Sequence, residues 1–190
     1  MKGLQHLGSI AFTTLALSAC GGGDTIDNPT GAQGQKLSYA YYQRCVAPLL
    51  TTPQTVVVDG RSSSNTCSSS GCHDNARGTG GALRLYGDAP AMDLAGSAAL
   101  LRASDMYKNY TSSAGESVAG APDLSRLLNK PLVRGVLHGG GQVLASPQDA
   151  AALRIAYWIA HPMPQGQDEF SNAAAGLFTP ADAATGACKE

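Results

Sequence analysis

The sequence lacks an excess of charge of either sign. Its 190 residues include 13 lysines and arginines against 14 aspartates and glutamates, so the formal net charge is −1 at pH 7. A surface that binds nucleic acid carries a basic excess. The charge balance therefore predicts that nucleic acid is not a partner of this protein.

Sequence signatures of several enzyme classes are also missing. We find no Ser/His/Asp order and no pair of carboxylates, and the glycines at 139–141 follow no predicted strand and lack the lysine of a phosphate-binding loop. Aromatic residues make up only 6% of the chain. For a single domain of this length, the side chains alone predict a modest apolar core.

Two thiols and an imidazole form the most informative pattern in the chain. Cys67 and Cys72 are separated by Ser-Ser-Ser-Gly, and His73 follows directly. In the compact form of this pattern, C-x-x-C-H, the thiols add to the vinyl groups of a haem and the histidine ligates its iron. The spacer is two residues longer here, but small serines and a glycine allow it to bulge. We therefore predict one covalent haem c held by Cys67, Cys72 and His73.

Three other interpretations of this cysteine pair stay open. Cys67 and Cys72 could form a disulfide in an oxidising compartment. A zinc site needs four ligands, and the sequence has no second Cys/His pair with zinc spacing. A redox dithiol would have two residues between its thiols within a βαβ context, and it would leave His73 without a role.

The N-terminal segment has the pattern of an export signal. Lys2 precedes an apolar run over residues 7–17 that is too short to span a bilayer as a permanent helix. The run ends in Leu-Ser-Ala-Cys at Cys20, which resembles the lipobox of bacterial lipoproteins. The resemblance implies cleavage before Cys20, acylation of that cysteine and a lipid anchor. Because no aspartate follows Cys20, we expect the outer membrane; an ordinary secretory signal is the alternative.

Composition divides the chain into four parts. Residues 1–19 are the predicted signal peptide, and residues 20–36, rich in Gly, Asp, Asn and Pro, are a predicted flexible tether. Residues 37–165 form the predicted haem domain, and residues 166–190 form a C-terminal tail.

Two cysteines remain after lipid and haem are assigned. Cys45 lies in the first predicted helix and Cys188 in the tail. Two remaining thiols in an oxidising compartment are candidates for a disulfide that pins the tail onto this helix. The sequence does not establish their pairing.

Apolar periodicity predicts helices at both ends of the haem domain. An opening helix runs from Ser38 to Leu50, and a closing helix begins with Ser146 as its cap and ends near His161. Helical pattern also covers residues 89–110, with a break expected around Ser104. Residues 56–58 and 82–86 are predicted to be extended, residues 59–64 a loop insertion and residues 124–128 a short helix.

The order of these elements resembles that of c-type cytochromes over residues 37–161. The specific matches are Cys67, Cys72 and His73. Residues 125–131, followed by His138 and three glycines, are similar to the Leu-rich, Lys-Pro, His-Gly-Gly pattern of variant cytochrome c domains in bacterial surface proteins. The resemblance implies an all-α fold, a cytochrome c-like helical domain with long loops and room for a short extended segment.

The second axial ligand of the iron would lie between the motif and the closing helix, according to this resemblance. His138 precedes that helix on a glycine-rich loop, where absent side chains let the backbone approach a flat macrocycle. We predict His138 as the distal ligand, with Met106 as the fallback; a solvent-facing loop histidine is the alternative interpretation. The other candidates are Met92, His161 and Met163.

These features together predict a membrane-anchored monohaem c-type cytochrome. It would pass single electrons between redox partner proteins in the periplasm or at the cell surface. A filled sixth position is typical of an electron carrier, whereas an open position binds peroxide or other small ligands, and we favour the carrier over an enzyme. The alternatives are a peroxidase-like haem lipoprotein with an open iron, and a non-haem, disulfide-stapled surface lipoprotein that serves as a binding component.

Overall fold

The computed structural model describes residues 34–178, 182 and 184–189. Within them the fold is mixed, with about 36% helix, 10% strand, six short α-helices and a two-stranded antiparallel sheet. The all-α fold predicted from the sequence is therefore wrong. The predicted signal peptide, Cys20 and most of the predicted tether lie outside the described residues.

The sheet is a β-hairpin that the sequence analysis did not predict. Strand β1 (Gln54–Val58) pairs antiparallel with strand β2 (Arg61–Asn65). The connection has two residues, Asp59 and Gly60, both with positive φ (48° and 75°), and such turns match the twist of paired strands. The prediction of a loop was wrong because every residue of β2 is exposed, so that strand has no apolar alternation.

The opening helix consists of three segments in sequence. They are α1 (Tyr39–Tyr41), a π-helical segment (Tyr42–Val46) and α2 (Ala47–Thr51). The π-helical segment lies close to Pro48, whose ring would press on the carbonyl four residues earlier in a regular α-helix. The Ser38 hydroxyl accepts a hydrogen bond from the Tyr41 N–H and caps the helix.

The next two helices are joined at a serine. Helix α3 (Ala98–Ala103) ends and α4 (Asp105–Gly115) begins at Ser104, whose hydroxyl accepts the Tyr107 N–H, and this confirms the predicted break. The helix predicted over residues 89–97 is absent. There the backbone N–H and C=O of Met92 both bind the side chain of Gln43 at 2.9 Å, so a tertiary contact replaces helical hydrogen bonds.

The last two α-helices of the described residues are α5 and α6. Helix α5 (Arg126–Asn129) follows a 3-10 helix (Pro122–Leu124). Helix α6 (Ala150–Ala160) starts later than predicted, because Asp149 rather than Ser146 accepts the first free N–H, that of Ala151. Helix α6 packs on the opening helix through buried Trp158, whose indole N–H donates to the Ser38 carbonyl at 2.8 Å.

The C-terminal residues pack back onto the domain. A 3-10 helix (Asn172–Leu177) leads into Phe178, and Leu177 and Phe178 are both buried. Cys45 and Cys188 form a disulfide with a Cα–Cα distance of 6.2 Å. None of the helices in the described part of the chain has the length and apolar content needed to cross a membrane.

A buried carboxylate joins the segment after α6 to α3 and α4. Glu169 accepts hydrogen bonds from the Tyr107 hydroxyl at 2.7 Å and from Nε of Arg102 at 2.9 Å, and its side chain is 5% exposed. Burial raises the pKa of Glu169, but hydrogen bonds from Tyr107, the backbone and Arg102 outweigh burial and leave the pKa below its ordinary value.

Glu169 should therefore stabilise the fold only while it is ionised. Its contribution is present above the ordinary glutamate pKa of about 4.3 and is lost as the pH falls through the lowered native pKa. We expect Glu169→Gln to lower the free energy of unfolding by about 1–3 kcal/mol at neutral pH and to weaken its dependence on acid pH. Urea titrations across pH measure both effects. Asp168→Asn changes an exposed neighbouring carboxylate and is the control. An equal loss of unfolding free energy in both variants would refute the stabilising role of ionised Glu169.

Candidate functional site

The spacer between the two motif cysteines folds into a compact turn. The Cys72 N–H donates to the Ser69 carbonyl, and the His73 N–H donates to the Cys67 carbonyl, both at 2.9 Å. The chain therefore turns back within the motif. Cys67 and Cys72 are both free thiols and half-buried, and both line the same cavity as His73.

Burial affects the chemistry of the first thiol. It raises the pKa of Cys67 to about 11, and the neighbouring Cys72 contributes in the same direction. The Cys67 thiol is therefore neutral at physiological pH, and only the thiolate attacks disulfides or is readily oxidised. The turn brings the two thiols to one cavity while disfavouring the ionised form of Cys67.

The imidazole of His73 is oriented by a backbone carbonyl. Its Nδ1 lies 3.2 Å from the Leu83 oxygen, and since a carbonyl only accepts, Nδ1 carries the proton and Nε2 keeps its lone pair. Burial lowers the pKa of His73, the hydrogen bond to Leu83 opposes this, and nearby Lys130 adds to the lowering. His73 is thus a neutral imidazole with Nε2 available as a ligand.

Gly80 makes room for this imidazole. A Cβ atom at residue 80 would overlap Nδ1 and Cε1 of His73 and lie 2.8 Å from the Cys72 oxygen. The sequence analysis did not identify Gly80, because nothing in the sequence shows which side chain passes over it.

We expect Gly80→Ala to displace His73 from the Leu83 carbonyl. Overpacking at such a contact costs about 1–3 kcal/mol of stability. The proton on Nδ1 of His73 would no longer be hydrogen-bonded to Leu83, so it should exchange rapidly with water and its NMR signal should disappear. Gly115→Ala is the control because nothing lies within 4 Å of a Cβ there. If the His73 signal were unchanged in Gly80→Ala, the proposed contact would be excluded.

The second imidazole is held in the same manner. Nδ1 of His138 lies 2.6 Å from the Gly141 oxygen, so the proton is again on Nδ1 and Nε2 is left as the potential ligand.

The loop that carries His138 is paired with the hairpin. Val57 in β1 pairs with Gln142 through two backbone hydrogen bonds of 2.8 and 2.9 Å. Gly141 has a φ of 79°, and a Cβ there would overlap the Val57 oxygen. The hairpin therefore positions the loop that carries His138.

The imidazoles of His73 and His138 line the same cavities and have nearly parallel ring planes. Their ring centroids are 6.1 Å apart and their planes differ by 11°. With metal–nitrogen bonds of about 2.0 Å and about 1.2 Å from each nitrogen to its ring centre, two imidazoles on opposite sides of one metal have centroids about 6.4 Å apart. The observed separation is close to this distance, although the two residues are 65 positions apart in the sequence.

Two adjoining cavities surround this pair. Their volumes are about 550 and 1300 Å³, and both values include space open to solvent. Cys67, His73, Lys130 and His138 line both cavities. The apolar part of the walls comprises Leu50, Val56, Val58, Ala82, Leu83, Leu127, Pro131 and Val143, and the charged or polar residues Glu116, Arg126, Ser63, Asn65, Thr66 and Thr79 also line the cavities. Such walls suit a flat apolar body bound by a few polar groups.

The other predicted ligand candidates lie elsewhere. Met106 and Met163 are 6% and 1% exposed within the core, and Met92 packs against that core. His161 is exposed, with its ring 4.0 Å from that of Tyr157 and its Nδ1 2.8 Å from the Tyr157 oxygen. None of these four residues lines either of the two cavities described above.

The site contains residues that the sequence analysis did not identify. Gly80 and the pairing of Val57 with Gln142 orient the two histidines, and Lys130 supplies a cation to the cavity. The Asp-Gly pair at residues 59–60 was a usable hairpin signal. In the described residues, no cluster of three or more His, Cys, Asp or Glu side chains has the arrangement of a metal site.

Comparisons with other proteins add no relative. No protein-family model, curated protein or solved structure matched this chain.

Proposed function

We propose that this protein is a monohaem c-type cytochrome that transfers single electrons. The observation that carries the proposal is the parallel pair of His73 and His138, whose centroids lie 6.1 Å apart beside two free thiols. Cys67 and Cys72 would form the covalent bonds to one haem c, His73 would ligate the iron on the proximal side, and His138 would ligate it on the distal side.

A haem bound here would supply reversible one-electron chemistry at its iron. The protein's own groups would set the conditions for that chemistry. The Leu83 and Gly141 carbonyls accept hydrogen bonds from Nδ1 of the two imidazoles, so Nε2 of each would be free to ligate the iron. Leu50, Leu127 and the other apolar wall residues reduce the access of water and the local dielectric constant, and these factors tune the potential.

The distal histidine favours a carrier over an enzyme. Two imidazoles would occupy both axial positions and leave none for peroxide or oxygen, and ligation by two histidines gives a lower potential than ligation by histidine and methionine. We therefore propose redox proteins as the partners.

The proposed location follows from the N-terminal sequence. Residues 1–19 would be removed on export, Cys20 would be acylated, and residues 20–36 would connect the lipid anchor to the haem domain. The proposed destination is the outer membrane, on its periplasmic or surface face.

Covalent haem is the decisive test. We expect the full chain, expressed together with a cytochrome maturation system, to retain haem through denaturation and acid-acetone extraction. Cys67→Ser/Cys72→Ser should lose that covalent haem. His161→Ala, which changes an exposed residue outside the cavity, should keep it and is the control. A colourless wild-type protein would refute the proposal.

A further inference from the structure

The few aromatic residues of this chain are concentrated in one place. A cluster of six rings contains the single tryptophan, four of the seven tyrosines and one phenylalanine, and we call it the aromatic cluster. Its neighbouring centroids are 5.2–6.2 Å apart. The members are Tyr39, Tyr42, Tyr107, Tyr110, Trp158 and Phe170.

The aromatic cluster extends from the haem cavity side to the surface. Tyr42 is fully buried in the core, and Cys67, which lines the cavity, packs against that core. The ring of Tyr42 is 5.2 Å from that of Trp158, which is 6.2 Å from Tyr110, and Tyr110 is 5.4 Å from Tyr107. Tyr107 is half-buried. The path therefore ends at a residue that solvent can reach.

The four phenols of the cluster differ in their hydrogen-bond partners. Tyr39 donates to the amide oxygen of Gln43, and Tyr110 donates to the Leu37 carbonyl. The Tyr42 hydroxyl pairs with the hydroxyl of Ser113. Only Tyr107 donates to a carboxylate, that of Glu169, at 2.7 Å.

This difference decides where an oxidised tyrosine is most stable. Loss of one electron makes a phenol strongly acidic, so oxidation is easiest where a base can take the proton. Amide, carbonyl and hydroxyl oxygens are poor bases, whereas an ionised carboxylate accepts a proton readily.

We propose that, when a peroxide-derived radical removes one electron on the cavity side and is itself reduced, the aromatic cluster carries that oxidising equivalent through Trp158 to Tyr107. The chemistry of the final step balances. One electron passes from Tyr107 to the oxidised indole of Trp158, the phenolic proton moves to the Glu169 carboxylate, and Trp158 returns to its original state. The products are a neutral tyrosyl radical at Tyr107 and a protonated Glu169. A thiol or ascorbate-class reductant in solution can then return one electron, and the proton held by Glu169 returns to the oxygen of Tyr107.

In the cell, this transfer would move damaging oxidising equivalents away from the haem, and that role rests on the proposed function. The transfer itself requires no haem. Its test can therefore fail while the covalent-haem test succeeds, and the reverse is also possible.

The sole tryptophan gives a selective starting point for the experiment. A near-ultraviolet flash applied to the full chain ejects an electron from Trp158, and a cobalt(III) ammine complex in solution captures it. Transient absorption distinguishes the tryptophan radical from the tyrosyl radical. In the wild-type protein we expect the absorption of the tryptophan radical to decay while that of the tyrosyl radical rises.

Three conservative variants test the route. Tyr107→Phe keeps the ring and Glu169→Gln keeps the hydrogen-bond acceptor, but each removes the proton transfer, so the tryptophan radical should persist several times longer. Tyr41→Phe is the matched control, because Tyr41 donates to the Gly186 carbonyl and pairs with Tyr157 and Phe178 outside the cluster. It should behave as the wild type.

Equal radical lifetimes in all three variants, or the absence of a tyrosyl signal from the wild type, would overturn the proposal. A purely structural role for Tyr107 would lower stability without changing the radical lifetime in the folded protein. If Tyr107→Phe does not fold, Glu169→Gln supplies the same comparison.

Discussion

The ferrous haem protein with His138→Ala should bind carbon monoxide stoichiometrically, whereas the wild-type protein should not bind it. In the proposed cytochrome, Nε2 of His138 would be the second axial ligand, and the Gly141 carbonyl and the Val57–Gln142 pairing hold that imidazole in place. Alanine cannot ligate iron, so the variant has an open position for a small ligand. Absorption spectra of the reduced protein with and without carbon monoxide measure the difference.

The matched control for this prediction is His161→Ala. His161 is also a histidine near the end of the haem domain, but it is exposed and lies against Tyr157 rather than in the cavity. Its removal should leave the spectra unchanged. Free imidazole added to His138→Ala should restore the wild-type spectrum. Carbon monoxide binding to the wild type would assign the open-iron alternative instead.

Removal of the Cys45–Cys188 disulfide should cause the largest loss of stability among the changes considered. The bond closes a loop with a sequence separation of 143. For a loop of this length, the chain-entropy relation gives a stabilisation of about 5 kcal/mol, which is comparable with the total stability of many domains. We expect Cys45→Ala/Cys188→Ala to lower the midpoint of thermal unfolding by about 10 °C or more.

Reduction provides an internal control for this effect. A thiol reductant should lower the stability of the wild type to that of the double variant and should leave the double variant unchanged, since Cys67 and Cys72 form no disulfide. Equal melting temperatures of the oxidised wild type and the variant would show that the bond contributes nothing.

The helices were partly predictable because their signals are local. The cap at Ser104 acts on its own helix, and the predicted break occurs there. The start of α6 was predicted wrongly because Ser146 and Asp149 are both suitable caps. In the structure the Asp149 side chain accepts the Ala151 N–H and caps the helix. The helix predicted over residues 89–97 does not form, because the backbone of Met92 is hydrogen-bonded to the side chain of Gln43. The two residues are 49 positions apart, so this contact is not a local signal.

The hairpin was missed for a different reason. Its second strand is exposed along its whole length, so apolar periodicity, the main sequence signal for strands, is absent there. The positive φ values of Asp59 and Gly60 are a backbone property that the Asp-Gly pair favours but does not require. This hairpin then proved to hold the loop of His138.

The sequence by itself determined the chemistry available to this protein, because two thiols and an imidazole lie within seven consecutive residues and backbone connectivity keeps them together. Only the tertiary structure decided which second side chain faces His73. His138, His161 and three methionines were all compatible with the sequence, and the choice depended on long-range packing. The pairing of Val57 with Gln142 and the burial of Met106 and Met163 brought His138 alone of these to the cavity.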